Sequence, residues 1–167
     1  VNGTLDGGAI YGFGGTLTVQ NSTFYGNQTT TTAGSLGGAI YAQTSTGGGG
    51  APPTLNISFV SFSDNRASSG SGSDIHAVSG TLNLYRSYLV NPVTGASCFS
   101  GATDTVTNSL IEVNSATPCG AAASTVFTPT LTLANNGGPT QTLAITSSMA
   151  GLYNAATACT NFAGTAV

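Results

Sequence analysis

Apolar and polar residues alternate with period two in short blocks along the first half of the chain. Leu17 and Val19 face one way, Thr16 and Thr18 the other, the pattern of a half-buried β-strand. The block returns as Thr54-Leu55-Asn56-Ile57 and again as Thr81-Leu82-Asn83-Leu84. Each copy is preceded by a second block: Gly7-Gly8-Ala9-Ile10-Tyr11, Gly37-Gly38-Ala39-Ile40-Tyr41 and a weaker Gly72-Ser73-Asp74-Ile75-His76. A third block closes each unit: Ser22-Thr23-Phe24-Tyr25-Gly26-Asn27, Val60-Ser61-Phe62-Ser63-Asp64-Asn65 and Ser87-Tyr88-Leu89-Val90-Asn91-Pro92. No helical period intervenes, so each unit predicts three short strands joined by turns. Thr44 to Pro53, rich in Gly and with two prolines, suits a loop and not a strand.

Units of three strands stacked in register make an all-β fold, a parallel β-helix in which each coil lies about 4.8 Å from the next. Stacking predicts columns: Ile10, Ile40 and Ile75; Leu17, Leu55 and Leu82; Val19, Ile57 and Leu84; Phe24, Phe62 and Leu89. Asn27 over Asn65 predicts an asparagine turn ladder with bonded side-chain amides. The chain is expected to be a single domain, 1–167, with repeat coils over 5–92 and divergent C-terminal coils and a tail over 93–167.

At these residues a family resemblance appears. Gly-Gly-Ala-Ile followed by Phe-x-x-Asn (Phe24 to Asn27, Phe62 to Asn65) resembles the polymorphic outer-membrane protein repeat of bacterial surface proteins and autotransporter passengers. Leu133-Ala134-Asn135-Asn136-Gly137-Gly138-Pro139-Thr140 is similar to the Asn-Gly-Gly-Pro-Thr signature of the choice-of-anchor Q type of extracellular β-helix protein, which tends to carry two cysteines upstream. Ser148 to Asn154 and Cys159 to Gly164 replace charged family runs with neutral residues. The resemblance implies a right-handed parallel β-helix and an extracellular setting, and no reaction.

Composition narrows the function. The chain of 167 residues holds 2 Lys+Arg and 5 Asp+Glu, a net charge of −3. Arg66 and Arg86 cannot supply the basic footprint of a nucleic-acid binder. No apolar stretch approaches the about 20 residues of a membrane span. Cys98 and Cys119 flank a Ser/Thr/Gly/Ala-rich segment and suit a disulfide worth about 3 kcal/mol, the alternative being reduced, buried thiols. Cys159 is then unpaired or intermolecular. The chain starts at Val1 without a signal sequence, which suits a secreted product whose signal peptide is already removed, or a fragment of a larger product.

Chemistry is sparse. Asp6, Asp64, Asp74, Asp104 and Glu112 fall in different columns, so no carboxylate pair is predicted. His76, the only histidine, stands where other repeats place Tyr11 and Tyr41 and reads as their substitute. No ligand spacing predicts a metal, and no catalytic residue or cofactor is expected. Outward Thr16, Thr18, Thr54, Asn56, Thr81 and Asn83 could form a flat hydroxyl array of the ice-binding kind, although Thr-x-Thr holds in the first repeat only. Asn2, Asn21, Asn27 and Asn56 open glycosylation sequons.

A short solenoid exposes unpaired strand edges, and a chain without Lys lacks a common defence against edge pairing. The expected function is therefore an extracellular structural subunit that assembles end to end with other copies into a surface filament or sheath. An adhesin or autotransporter passenger fragment binding a receptor is the alternative, and a polysaccharide-active β-helix enzyme the third.

Overall fold

The computed structural model describes residues 2–3, 6–29, 34–45, 50–69, 71–107, 109–111, 119 and 132–143. Their regular structure is β throughout. After β1 (Asn2–Gly3), the first coil comprises β2 (Ile10–Phe13), β3 (Thr16–Gln20) and β4 (Thr23–Tyr25), followed by β5 (Gln28–Thr29). The second coil holds β6 (Ile40–Gln43), β7 (Thr54–Ser58) and β8 (Ser61–Ser63). The third holds β9 (Ile75–Ala77), β10 (Thr81–Tyr85) and β11 (Tyr88–Val90), and the fourth β12 (Cys98–Ser100), β13 (Thr103–Thr107) and β14 (Leu110–Ile111). A hairpin of β15 (Leu133–Ala134) and β16 (Thr142–Leu143) follows.

The coils stack into three parallel four-stranded sheets, β2-β6-β9-β12, β3-β7-β10-β13 and β4-β8-β11-β14. Each pass visits the sheets in the same order, a solenoid-like arrangement. Register places Ile10 beside Ile40 and Ile75, Leu17 beside Leu55 and Leu82, Val19 beside Ile57 and Leu84, and Phe24 beside Phe62 and Leu89. All four columns match those read from the repeat.

Corners fix this register. Gly7, Gly37, Gly72 and Gly95 all have positive φ (73°, 64°, 63°, 53°), three residues before the first strand of each coil. A second corner repeats positive φ at Asn21, Phe59 and Arg86, and a third at Gly26, Asp64 and Asn91. This conformation costs roughly 1–2 kcal/mol for most side chains, so glycine, asparagine and aspartate fill most of these places. The second glycine of Gly-Gly-Ala-Ile answers a different need. A Cβ on Gly38 would sit 2.3 Å from the Ser73 carbonyl oxygen and 2.5 Å from the Arg66 backbone.

Inward residues of the middle coils are sealed: Ile40, Ile57, Phe62, Ile75, Leu82 and Leu89 have no measurable exposure. Ile10, Leu17 and Phe24 of the first coil are only partly buried, because they pack against a neighbour on one side. Among the described strands β1 pairs with β5, through Asn2↔Gln28 and Gly3↔Thr29, and not with β2, β3 or β4.

The sequence pattern predicts divergent coils beyond residue 92 but does not identify the strands of the fourth. Cys98, Val106 and Ile111 continue the apolar columns, but Asp104 falls beside Leu82, where leucine is expected. Ser100 Oγ donates to Asp104 Oδ1 at 2.6 Å, and the carboxylate is half-buried on the outermost described strand of its sheet. An inward-pointing charge is a known defence of a sheet edge. Cys98 and Cys119 form a disulfide with both residues buried, tying this coil to chain beyond it. Tyr88 Oη donates to the Leu143 carbonyl at 3.1 Å and anchors the hairpin to the third coil. Cys159 and Glu112 lie outside the described residues.

Two glycine variants separate the roles of these positions. Gly38→Ala should lower the urea midpoint by the equivalent of about 1–3 kcal/mol, because backbone must move. Gly12→Ala, whose new Cβ meets its neighbours only at ordinary contact distances, Ala42 Cβ at 3.5 Å and the Tyr41 carbonyl oxygen at 3.6 Å, should leave the midpoint unchanged or slightly raised.

Candidate functional site

Three groups of side chains carry the polar and aromatic chemistry. The first is an amide network at the third corner. Asn65 is fully buried. Its Oδ1 accepts from the Asn27 backbone N–H (2.9 Å) and from Asn27 Nδ2 (3.0 Å). Its Nδ2 donates to the Phe24 carbonyl (3.1 Å) and to Asp74 Oδ1 (2.7 Å). Both lone pairs and both protons of the Asn65 amide are thereby used. Pro92 occupies the next place in the ladder and has no amide to continue it, and the carboxylate of Asp74 supplies the last acceptor. This network is structural. It also removes Asn27 from the usable sequons, whereas Asn21 stays exposed at its corner.

The second group lies on the outer face of the β2 sheet. Tyr11, Tyr41, His76 and Phe99 stack as a continuous column, with ring centroids 5.2, 5.6 and 4.5 Å apart, and Phe13 lies beside Tyr11 at 6.3 Å. Tyr41 Oη donates to Gln43 Oε1 at 2.9 Å, and Gln43 Nε2 donates to Tyr11 Oη. His76 is thus a ring among rings. Its Nδ1 lies 3.3 Å from the Ser71 carbonyl and 3.2 Å from Ser71 Oγ. A carbonyl can only accept, so that contact selects the tautomer protonated on Nδ1. Burial is the main cause that pushes the His76 pKa below its ordinary 6.5, against the opposing pull of the Ser71 carbonyl and of Asp6.

The third group is the outer face of the β3 sheet. Thr16, Thr54, Thr81 and Thr103 form one column, and Thr18, Asn56, Asn83 and Thr105 the next. The threonine column therefore runs through all four coils, while asparagine interrupts the second column in the middle. Asn83 Nδ2 donates to Asn56 Oδ1 at 2.8 Å. The third column, Gln20, Ser58, Tyr85 and Thr107, carries a large ring in the third coil. The Arg86 guanidinium lies 4.9 Å from the centre of that ring and 5.9 Å from that of Phe59. A cavity of about 230 Å³ opens here, lined by Asn83, Leu84, Tyr85, Thr105 and Thr107.

Sequence reasoning missed Thr103, Thr105, Thr107 and Phe99. The alternation Thr103-Asp104-Thr105-Val106-Thr107 was the available signal, masked by the aspartate at an inward place.

The acids are used singly. Asp6 Oδ1 accepts the Leu36 backbone N–H at 2.7 Å, one coil on. Asp64 Oδ2 accepts from Ser63 Oγ at 2.7 Å at the positive-φ corner, Asp74 serves the amide network, and Asp104 meets Ser100. Among the described residues no three His, Cys, Asp or Glu cluster as a metal site would require, and no helix is long and apolar enough to cross a membrane.

Neutral His76 stabilises the fold above pH 6.5, and this contribution is lost as pH falls below that value, because the unfolded chain takes up the proton first. Melting temperature should therefore drop as pH falls through about 6.5, and His76→Tyr should flatten that drop. An unchanged slope in His76→Tyr would show that another group titrates.

No family model matches the chain, and neither a curated protein nor a solved structure matches it.

Proposed function

We propose that the chain is an extracellular structural subunit, a right-handed parallel β-helix that associates with other copies into a surface filament or sheath. The observation that carries this is the edge of the first coil, which is open among the described residues. Thr54 N–H bonds the Gly15 carbonyl and Asn21 N–H bonds the Ser58 carbonyl, so alternation turns the backbone groups of Thr16, Thr18 and Gln20 away from β7. By the same alternation Thr23 and Tyr25 turn theirs away from β8. None of β2, β3 and β4 pairs with a second described strand. They contain no charge and no proline, the usual defences of an edge. Tyr11, Phe13 and Tyr25 of this coil are also large, exposed apolar residues, at 48%, 47% and 37%. A coil of like geometry from a second copy supplies both the missing hydrogen bonds and the cover for Leu17 and Phe24.

Other observations support the remaining parts. The Cys98–Cys119 disulfide suits an oxidising compartment. Right-handedness follows the near-universal hand of crossovers between parallel strands in one sheet, about 98%. The resemblance to polymorphic outer-membrane protein repeats and to the choice-of-anchor Q type points to the same cell-surface setting. The four described acids each serve a neighbouring backbone or side-chain donor, which favours a structural role over hydrolysis. Cys159 is assigned to an unpaired thiol or a link between copies. An adhesin fragment is the alternative, and it differs in staying monomeric.

Electron microscopy of the purified chain at neutral pH should show filaments with a regular axial repeat. Thr23→Pro removes one open-edge N–H at the first position of a strand, where proline is tolerated. It should abolish the filaments while leaving the circular dichroism spectrum unchanged. Monomers that persist on concentration would overturn the assembly and leave the adhesin.

A further inference from the structure

We infer that the cavity on the outer face of the β3 sheet is a binding subsite for one neutral sugar unit of a glycan. Its volume of about 230 Å³ falls below the roughly 300–1,000 Å³ of sites for drug-sized ligands, which suits a single pyranose ring. The lining matches the two faces of such a ring. Tyr85 offers an aromatic surface whose negative face attracts the polarised C–H groups of a sugar. Asn83, Thr105 and Thr107 offer neutral hydrogen-bonding groups for its hydroxyls. The Asn83 amide is oriented by its bond to Asn56 Oδ1, which spends one N–H and leaves Oδ1 as an acceptor. Arg86, lying over Tyr85 and close to Phe59, fixes the ring in place. The polar groups are thus held on rigid strands before any ligand arrives.

Other ligands fit less well. A nucleotide brings phosphate, and the chain carries a net charge of −3 with only two cations. A water lattice needs a flat two-column array, whereas Tyr85 and the cavity beside it break the face, and Asn56 and Asn83 interrupt the second threonine column. A sugar unit uses the break itself. The subsite does not depend on assembly, since it lies on an outer face and not on the edge of the first coil.

Saturation-transfer NMR, which reads monomers and polymers alike, provides the test. The probes are methyl α-mannoside, methyl β-glucoside, methyl β-galactoside, N-acetylglucosamine and, as an anionic contrast, galacturonate. At least one neutral probe should bind with a Kd on the order of 1 mM. Tyr85→Leu should weaken it at least tenfold and Tyr85→Phe little. Thr105→Val should weaken it about fivefold, the worth of one hydrogen bond, while Thr16→Val in the same sheet should have no effect. Transfer to none of the probes would overturn the proposal, as would a salt-sensitive preference for galacturonate. Binding that survives both Tyr85→Leu and Thr105→Val would overturn it as well, and the second of these keeps the test valid should the first fail to fold.

Discussion

Parallel, in-register hydrogen bonding between coils is the constraint on which the other features depend. Each coil bonds its backbone to the next at about 4.8 Å, so each residue must live beside its own counterpart. Leucine, isoleucine, threonine and stacked rings do this at no cost. Like charges do not: at this spacing they repel by roughly 1 kcal/mol in water and about 3–4 kcal/mol near a protein surface. A chain with 4% charged residues is what such a rule selects. The four described acids stand singly, each with a donor, and none has an acid as its strand-register partner.

The same rule gives each sheet a different outer surface. On the β2 sheet the outward column is aromatic, and His76 enters it as a flat ring between Tyr41 and Phe99. Burial pushes its pKa down and so favours the neutral form, which suits a column of uncharged neighbours. On the β3 sheet the outward columns are hydroxyl and amide, and only at Tyr85 does a large side chain interrupt them. A repeated surface cannot by itself single out one point for a ligand. The departure from repetition at Tyr85 and Arg86 does so, and the cavity forms there.

Repetition also decided what could be read from the sequence. Columns from Ile10, Leu17, Val19 and Phe24 were legible because each recurs at a matching place in the following units. The fourth coil was not, because Gly95-Ala96-Ser97-Cys98 has lost the Gly-Gly-Ala-Ile spelling and Asp104 replaces an inward leucine. Asn27 over Asn65 was legible as a pair. The further bond from Asn65 to Asp74 was not, since it passes from one corner to the next coil's first block and has no periodic signature. The cavity was equally hidden. It depends on Asn83 and Tyr85 meeting Thr105 and Thr107, residues brought together only once β13 is known to pair with β10.

A stack held by backbone bonds between successive coils resembles a zipper, and a pull on its last coil loads those bonds a few at a time. Peeling is then the easy way to damage such a rod, and it starts wherever the outermost strand is weakest. In this chain the bond from Cys98 of the fourth coil to Cys119 beyond it carries tension applied past Cys119 straight to Cys98, so β13 and β14, which lie between the two cysteines, are spared the pull. Reduction of that one bond would therefore act twice, removing the stabilisation of about 3 kcal/mol that such a bridge contributes at rest and opening the fourth coil to the load.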